Sequence, residues 1–394
     1  MNNSHRGTGT PDMPAPFTWH ATDKQLADLR DRLRATRWPD TPDDVGWSIG
    51  VDTSYLRELV EYWANDFQWS EQEEALATSP RFSVPIDGLD IHFVHARAAS
   101  PDALPLVLSH GWPDSFWRYS KVIPLLTDPG RYGADPADAF DVVVPDLPGF
   151  GFSQRPPQAL DAIEVSRMWA RLMEILGYRH FGAVGGDIGS SVSRFLALDF
   201  PDRVVAVHRM DAGLPTGDPT ANDLTPAERQ WIATASTWGA VEGAYAAIHR
   251  TKPQTAATAL NDSPAGLAAW IVEKLRAWSD CDGDIESVFT KDEILTNVSI
   301  YWFTSTIGSS MRMYRANAQI DAGQLARRIE VPSGYSLFAG DIVRPPREWL
   351  HRMSNAVYIS EPAHGGHFAP FEQPQLYAAE LRDFFRPYRH RQPW

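Results

Sequence analysis

Between Phe181 and Phe200 an apolar run, Phe181-Gly182-Ala183-Val184, passes through Gly185-Gly186-Asp187-Ile188-Gly189-Ser190-Ser191 into a segment of helical composition. No other stretch restricts the fold as strongly. Small residues around one reactive side chain permit a strained strand-to-helix turn that lifts that side chain above the end of a sheet, the geometry of a nucleophile elbow. The lifted residue here is an aspartate. A serine at such a turn needs a base before it can attack, whereas a carboxylate is already an anion at neutral pH. The expected chemistry therefore moves from ester hydrolysis towards displacement at carbon. The competing reading is that Asp187 only caps the following helix, and the rest of the chain has to choose between them.

In chain order, residues 1–16 are polar with Gly and Pro and lack the apolar core of a signal peptide, so they read as a flexible tail. Residues 17–80 read as helical and wrapped on the body. Thr22 with Gln25 has the form of a capping box, Arg37-Trp38-Pro39-Asp40 ends the first helix, and Ser70 with Glu73 is placed to cap a third. Leu56, Leu59, Val60 and Trp63 give the second helix an apolar stripe. From about Phe82 the period becomes that of strands. A hairpin turn is expected at Ile86-Asp87-Gly88-Leu89, then strands at Leu104–Leu108, Asp141–Val144, Phe181–Val184 and Val204–Val207, with helices between. This alternation predicts an α/β fold, a mostly parallel sheet with helices on both faces. It fills 81–214 as the first part of the core. Residues 215–325 show helical stripes and many aromatics, the pattern of a helical lid, and 326–394 return to the core, with strand signals at Tyr335–Phe338 and Ala356–Ile359 and a last helix from about Gln373 to Phe385.

In such sheets ligands bind beyond the carboxyl ends of the strands. Four polar landmarks follow strands directly: His110-Gly111-Trp112-Pro113, Asp187, Asp341, and the loop Ala363-His364-Gly365-Gly366-His367-Phe368. Nucleophile, acid, histidine is the chain order of α/β-hydrolase triads. His367 is the expected base, favoured over His364 because it sits between the flexible glycines and the last helix. His110 reads as support for its own loop. Asp341 is the expected acid that orients His367, with Asp211 and Glu361 as alternatives. The backbone N–H groups of Trp112 and Ile188 are the expected oxyanion donors. Asp280-Cys281-Asp282-Gly283-Asp284 reads as a solvated acidic turn, since its glycine is misplaced for a calcium loop, and Gly182–Gly189 is not a dinucleotide fingerprint.

These strings together resemble epoxide hydrolases of the microsomal type, from about Phe17 to the end. The resemblance rests on Leu29-Arg30-Asp31-Arg32-Leu33, Thr36-Arg37-Trp38-Pro39-Asp40, His110-Gly111-Trp112-Pro113, Asp146-Leu147-Pro148-Gly149-Phe150-Gly151-Phe152-Ser153, Gly185-Gly186-Asp187 and Gly365-Gly366-His367-Phe368. In the lid it extends to Leu260-Asn261-Asp262-Ser263-Pro264-Ala265-Gly266-Leu267 and Leu295-Thr296-Asn297-Val298. The resemblance implies two lid tyrosines that bind the epoxide oxygen and supply its proton, and the matching positions are Tyr245 and Tyr314. It also implies an α/β-hydrolase fold and opening of an epoxide to a vicinal diol through an ester on Asp187, without a metal or organic cofactor. The chain departs from the pattern in three places. No membrane anchor precedes the helices, so a soluble, cytoplasmic protein is expected. The acid is Asp341 where those members often have glutamate. Ile188 follows the nucleophile where many have tryptophan.

The partners expected are an apolar or aromatic epoxide and water, in detoxification or a natural-product pathway, with a homo-oligomer possible. A net charge of −14 speaks against nucleic acid and anionic membranes. One cysteine, Cys281, excludes an intrachain disulfide. A neutral His367 and a protonated tyrosine predict a bell-shaped pH profile. Two other readings stand beside this one. A dehalogenase would share the aspartate and histidine but use indole donors for halide, one often directly after the nucleophile, where Ile188 has none. A ligand-binding protein on an inactive hydrolase body would have no need of all five side chains.

Overall fold

The computed structural model describes residues 13–213, 215 and 222–389. The first twelve residues of the expected tail, the core-to-lid boundary at 214 and lid residues 216–221 lie outside the described residues. Strand β1 (Ala15–Pro16) pairs antiparallel with Phe82 and Ser83, so the last part of the expected tail is an edge of the sheet. Helices α1 (Asp23–Arg34), α2 (Thr53–Asn65) and α3 (Trp69–Leu76) follow. Thr22 closes the capping box with Gln25, and Leu56, Leu59, Val60 and Trp63 are buried. Helix α1 stops at Arg34, before the Arg37–Asp40 string, where the Thr36 hydroxyl donates to the Leu33 carbonyl at 2.8 Å. The cap expected from Ser70 and Glu73 does not form. Helix α3 begins two residues earlier than that cap would place it, with Gln68 in the cap position, and Glu73 instead accepts the Ala21 N–H at 2.7 Å and the Trp69 indole N–H at 2.5 Å, pinning the segment that leads into α1. A tertiary acceptor role for the carboxylate has displaced the local one.

Strands β2 (Arg81–Ile86) and β3 (Leu89–Ala96) form the expected hairpin, with Asp87 and Gly88 both at positive φ as a two-residue turn requires. Then come β4 (Leu104–Ser109), α4 (Ile123–Thr127), β5 (Phe140–Pro145), α5 (Ala162–Ile175), β6 (Phe181–Gly185), α6 (Ile188–Asp199) and β7 (Val204–Arg209). After β7 the described residues are helical: α7 (Pro226–Val241), α8 (Ala244–Thr251), α9 (Pro253–Leu260), α10 (Pro264–Trp278), α11 (Lys291–Thr304), α12 (Ile307–Asn317) and α13 (Ala322–Leu325). The core resumes with β8 (Ile329–Ser336), α14 (Arg347–Met353), β9 (Ser354–Ser360), α15 (Ala369–Glu372) and α16 (Pro374–Phe385). Strand β8 starts earlier than the expected Tyr335–Phe338 and ends before Leu337. Pro332 and Gly334 mask its strand signal, and the β8–β9 register shifts around both.

The nine strands form one sheet in the order β1-β2-β3-β5-β4-β6-β7-β8-β9, parallel from β5 to β9. After β4 the chain turns outward to β5, then returns to the other side of β4 with β6. Loops leaving β4 and β6 therefore diverge side by side, which makes a crevice at the strand ends. Ser109 pairs with Gly185 at that point, so the loops carrying Trp112 and Asp187 start as neighbours. An additional bridge, Gly340 with Gly366, joins the loops after β8 and β9. No described helix is long and apolar enough to cross a membrane.

Candidate active site

Asp187 occupies the cap position of α6 without capping it: its side chain makes no cap hydrogen bond. Its backbone sits at φ 57° and ψ −125°, a conformation that costs a non-glycine residue about 1–3 kcal/mol and marks functional turns. Two close approaches explain the small residues around it. A Cβ on Gly185 would lie 2.1 Å from the Gly189 carbonyl oxygen, and one on Gly189 would lie 2.0 Å from that of Ser109. The turn is held by the Asp187 N–H, which donates to Asp211 Oδ2 at 2.8 Å, and by Ser190 Oγ on the Asp211 carbonyl at 2.9 Å. Asp211, the alternative acid, therefore supports the elbow. Burial and the charge of Asp341 raise its carboxyl above the usual range, against Arg209.

The Trp112 N–H donates to Asp187 Oδ1 at 2.8 Å. The approach is tight enough that a Cβ on Gly111 would meet that oxygen at 2.3 Å. On the other side, Asp187 Oδ2 lies 3.5 Å from His367 Nε2, too long for a good hydrogen bond. His367 Nδ1 is 2.8 Å from Asp341 Oδ1, so the structure brings these two expected site residues together. Glu361 is elsewhere, paired with Arg347 at 2.8 Å. Burial raises the Asp187 carboxyl, but His367 and the N–H groups of Trp112 and Ile188 outweigh it and hold the group low. Burial disfavours the imidazolium of His367, yet the carboxylates of Asp341 and Asp187 prevail and lift it to about 10. The histidine is thus cationic across the neutral range. This replaces the simple expectation of a neutral resting base.

A cavity of about 270 Å³ opens over Asp187 and is lined by Asp211, Asp341, His367 and, from the lid, Trp238, Arg250, Tyr245 and Tyr314. Tyr245 stacks on Trp112 with ring centroids 5.2 Å apart, and Tyr314 meets Tyr245 edge to face at 5.9 Å. Burial, then the negative charge of Asp187, pushes the Tyr245 phenol up; burial, then Tyr245 and Asp187, raise Tyr314 well above the usual phenol range too. Both hydroxyls hold their protons across the neutral range.

Several supports could not be read as such from the sequence. His110 accepts the Leu147 N–H at 3.0 Å, the loop role expected of it, but beside it Asp146 is a buried hub bonded to His92 Nδ1 at 2.8 Å and to the N–H groups of Phe116 and Phe152. Arg118, fully buried, pairs with Asp114 and donates to the His367 carbonyl. Asn297 Nδ2 reaches the Pro113 carbonyl at 2.7 Å and the Tyr301 hydroxyl that of Asp114 at 2.8 Å, tying α11 to the loop after β4. His249 packs against Trp112 at 4.7 Å and Tyr314 at 4.9 Å, and Lys274, paired with Glu273, lies over the Tyr245 ring at 5.1 Å. Asp280, from the acidic turn, accepts the Gly365 N–H at 2.8 Å, and Asp284 caps a short helix at Ile285–Ser287.

Comparison with known proteins agrees in extent with this architecture. Residues 14–119 match the family described as epoxide hydrolase N terminus, and residues 105–254 match the alpha/beta hydrolase fold. The chain is 42% identical over 377 residues to a Stigmatella aurantiaca protein provisionally named an epoxide hydrolase, covering 95% of this chain and 85% of that one. It is 34% identical over 405 residues to epoxide hydrolase 1 of Sus scrofa, covering 94% and 88%. Among solved structures it is similar to Aspergillus niger epoxide hydrolase, with a TM-score of 0.84 at 32% identity over 98% and 97% of the two chains. It is also similar to the juvenile hormone epoxide hydrolase of Bombyx mori, with 0.87 at 29% over 96% and 95%. Likeness that runs from the amino-terminal helices through lid and last helix, at these identities, places the chain in the epoxide hydrolase family of the α/β-hydrolase fold.

Proposed function

We propose that the chain opens an apolar or aromatic epoxide to a vicinal diol in two covalent steps. Asp187 Oδ2, on the open side of the carboxylate, attacks one ring carbon. The carbon–oxygen bond breaks, and the ring oxygen takes a hydrogen bond and then a proton from Tyr245 or Tyr314. An alkyl ester on Asp187 results. His367, held by Asp341, takes a proton from water, whose oxygen attacks the ester carbonyl. Oδ1 becomes the oxyanion beside the N–H groups of Trp112 and Ile188. Collapse breaks the bond from the Asp187 carbonyl carbon to Oδ2; that oxygen leaves with the diol and takes the remaining proton of the added water, the imidazolium proton is returned to the tyrosinate, and the carboxylate is restored.

The observation that carries this reading is that two protonated phenols line one cavity with the Asp187 carboxylate, whose Oδ2 has only His367 Nε2 near it, at 3.5 Å. It also gives the raised His367 a use. Esterification removes one of the two charges that hold the imidazolium, so its pKa falls and the ring becomes a base in the step that needs one. The first step, with Asp187 held low and the tyrosines held high, is expected to be flat with pH across neutrality.

Incubation with styrene oxide tests the function directly. Release of phenylethanediol, without halide release from a matched haloalkane, is the expected result. Halide release without diol would favour a dehalogenase, and binding without turnover a ligand-binding protein. Tyr245→Phe or Tyr314→Phe is expected to slow ester formation about 10- to 100-fold, and the double variant further, measured by single-turnover fluorescence. An unchanged rate in the double variant would remove the phenols from the mechanism.

A further inference from the structure

Glu372 lies outside the cavity, at the end of α15, and its carboxylate faces the loop that carries His367. Oε1 accepts the Phe368 N–H at 2.9 Å, and Oε2 accepts the N–H of Gly366 at 3.0 Å and of Asp280 at 2.9 Å. The residues on either side of His367 therefore depend on one side chain, which also binds them to the end of lid helix α10. Parallel bonds run from the His367 N–H to the Trp278 carbonyl at 2.8 Å and from the Gly365 N–H to Asp280 Oδ2 at 2.8 Å. The seam is closely packed: a Cβ on Gly366 would meet the Trp278 carbonyl oxygen at 2.6 Å.

An ionised carboxylate can accept three N–H groups at once. A protonated one turns a hydrogen towards donors and loses at least one of these bonds. We propose that Glu372 is a positioning residue for the base, and that its protonation loosens the His367 loop and sets the acid side of the pH profile. The inference rests on His367 acting as the base. Burial lifts Glu372 to about 7 against the pull of its three N–H donors, which puts the change within the working range. The charged and titratable groups around it are His367 on its own loop, Asp280 and Cys281 after α10, and Arg118, whose guanidinium lies over the Phe368 ring at 5.7 Å. Of these His367 favours the ionised form of Glu372. The effect should fall on ester hydrolysis, which needs an aligned imidazole, since small misplacements of a catalytic group cost up to about 100-fold. Ester formation uses Asp187 and the lid tyrosines on other elements and should be spared.

Glu372→Gln tests this with the two steps measured separately between about pH 6 and pH 8. In the unsubstituted protein ester hydrolysis is expected to slow about tenfold for each pH unit below roughly 7. In E372Q it is expected to be about tenfold or more slower at every pH and flat, with ester formation within about threefold. An E372Q variant that keeps the original slope overturns the proposal. If E372Q does not fold, amide exchange of residues 365–368 in the unsubstituted protein, corrected for intrinsic rate, gives the same decision. Protection must drop from about pH 8 to pH 6, and unchanged protection overturns the proposal. Ester trapping in a His367 variant separates the two levels. If no ester forms, the covalent reading itself falls. If ester forms but the slope survives in E372Q, only the role of Glu372 falls.

Discussion

His367→Gln should convert the protein into a trap. With styrene oxide, intact-mass measurement is expected to show one substrate added per chain, placed on Asp187 by peptide mapping, while turnover drops about 10²–10⁴-fold. The reason is the separation of labour in the site. In the proposed mechanism ring opening needs the Asp187 carboxylate and the tyrosines, none of which His367 supplies. Ester hydrolysis needs a proton acceptor beside the water, and the glutamine amide is not one. Asp187→Asn in parallel should lose turnover by at least about 10⁴-fold and show no added mass, because the amide is a poor nucleophile. A His367→Gln protein that turns over normally, or an Asp187→Asn protein that still acquires mass, would refute the assignment of roles.

Gly189→Ala should damage the elbow from beneath. The new Cβ would lie 2.0 Å from the Ser109 carbonyl oxygen and 2.7 Å from that of His110. Both atoms are backbone, at the end of β4, and cannot swing away as a side chain would. Strand β4 must separate from α6, at a cost of about 3 kcal/mol or more, which corresponds to a fall in Tm of roughly 4 °C in a chain of this length. Because Ser109 leads to the Trp112 N–H on Asp187, activity should fall more than stability alone explains. Thermal melting and turnover below the transition check this. A variant with unchanged Tm and rate would mean that β4 and α6 are not held at this distance.

The features legible in the sequence are those written in consecutive residues. The capping box at Thr22 needs only a side chain three positions on, the Asp87-Gly88 turn needs two positive φ values, and the elbow needs small residues next to one acid. Even strand ends were readable enough to predict that Asp341 and His367 should meet, and they lie 2.8 Å apart. Two expectations failed, for different reasons. Glu73, expected in a helix cap, accepts the Ala21 N–H from 52 residues away together with the indole of Trp69 one turn back, and β8 hid behind its own Pro332 and Gly334.

The same division holds at the site. Residue types and their order specify an acidic elbow, a histidine loop and the loop after β4 that carries Trp112, because backbone conformation at each depends on its immediate neighbours. The charge state of His367, the use of Asp211 and the tie of Glu372 to Asp280 come from groups 24 to 180 residues apart, as in Asp187 with Asp211 and Asp187 with His367. Desolvation and Coulomb interactions depend on distance in space, and only the folded sheet and lid set those distances.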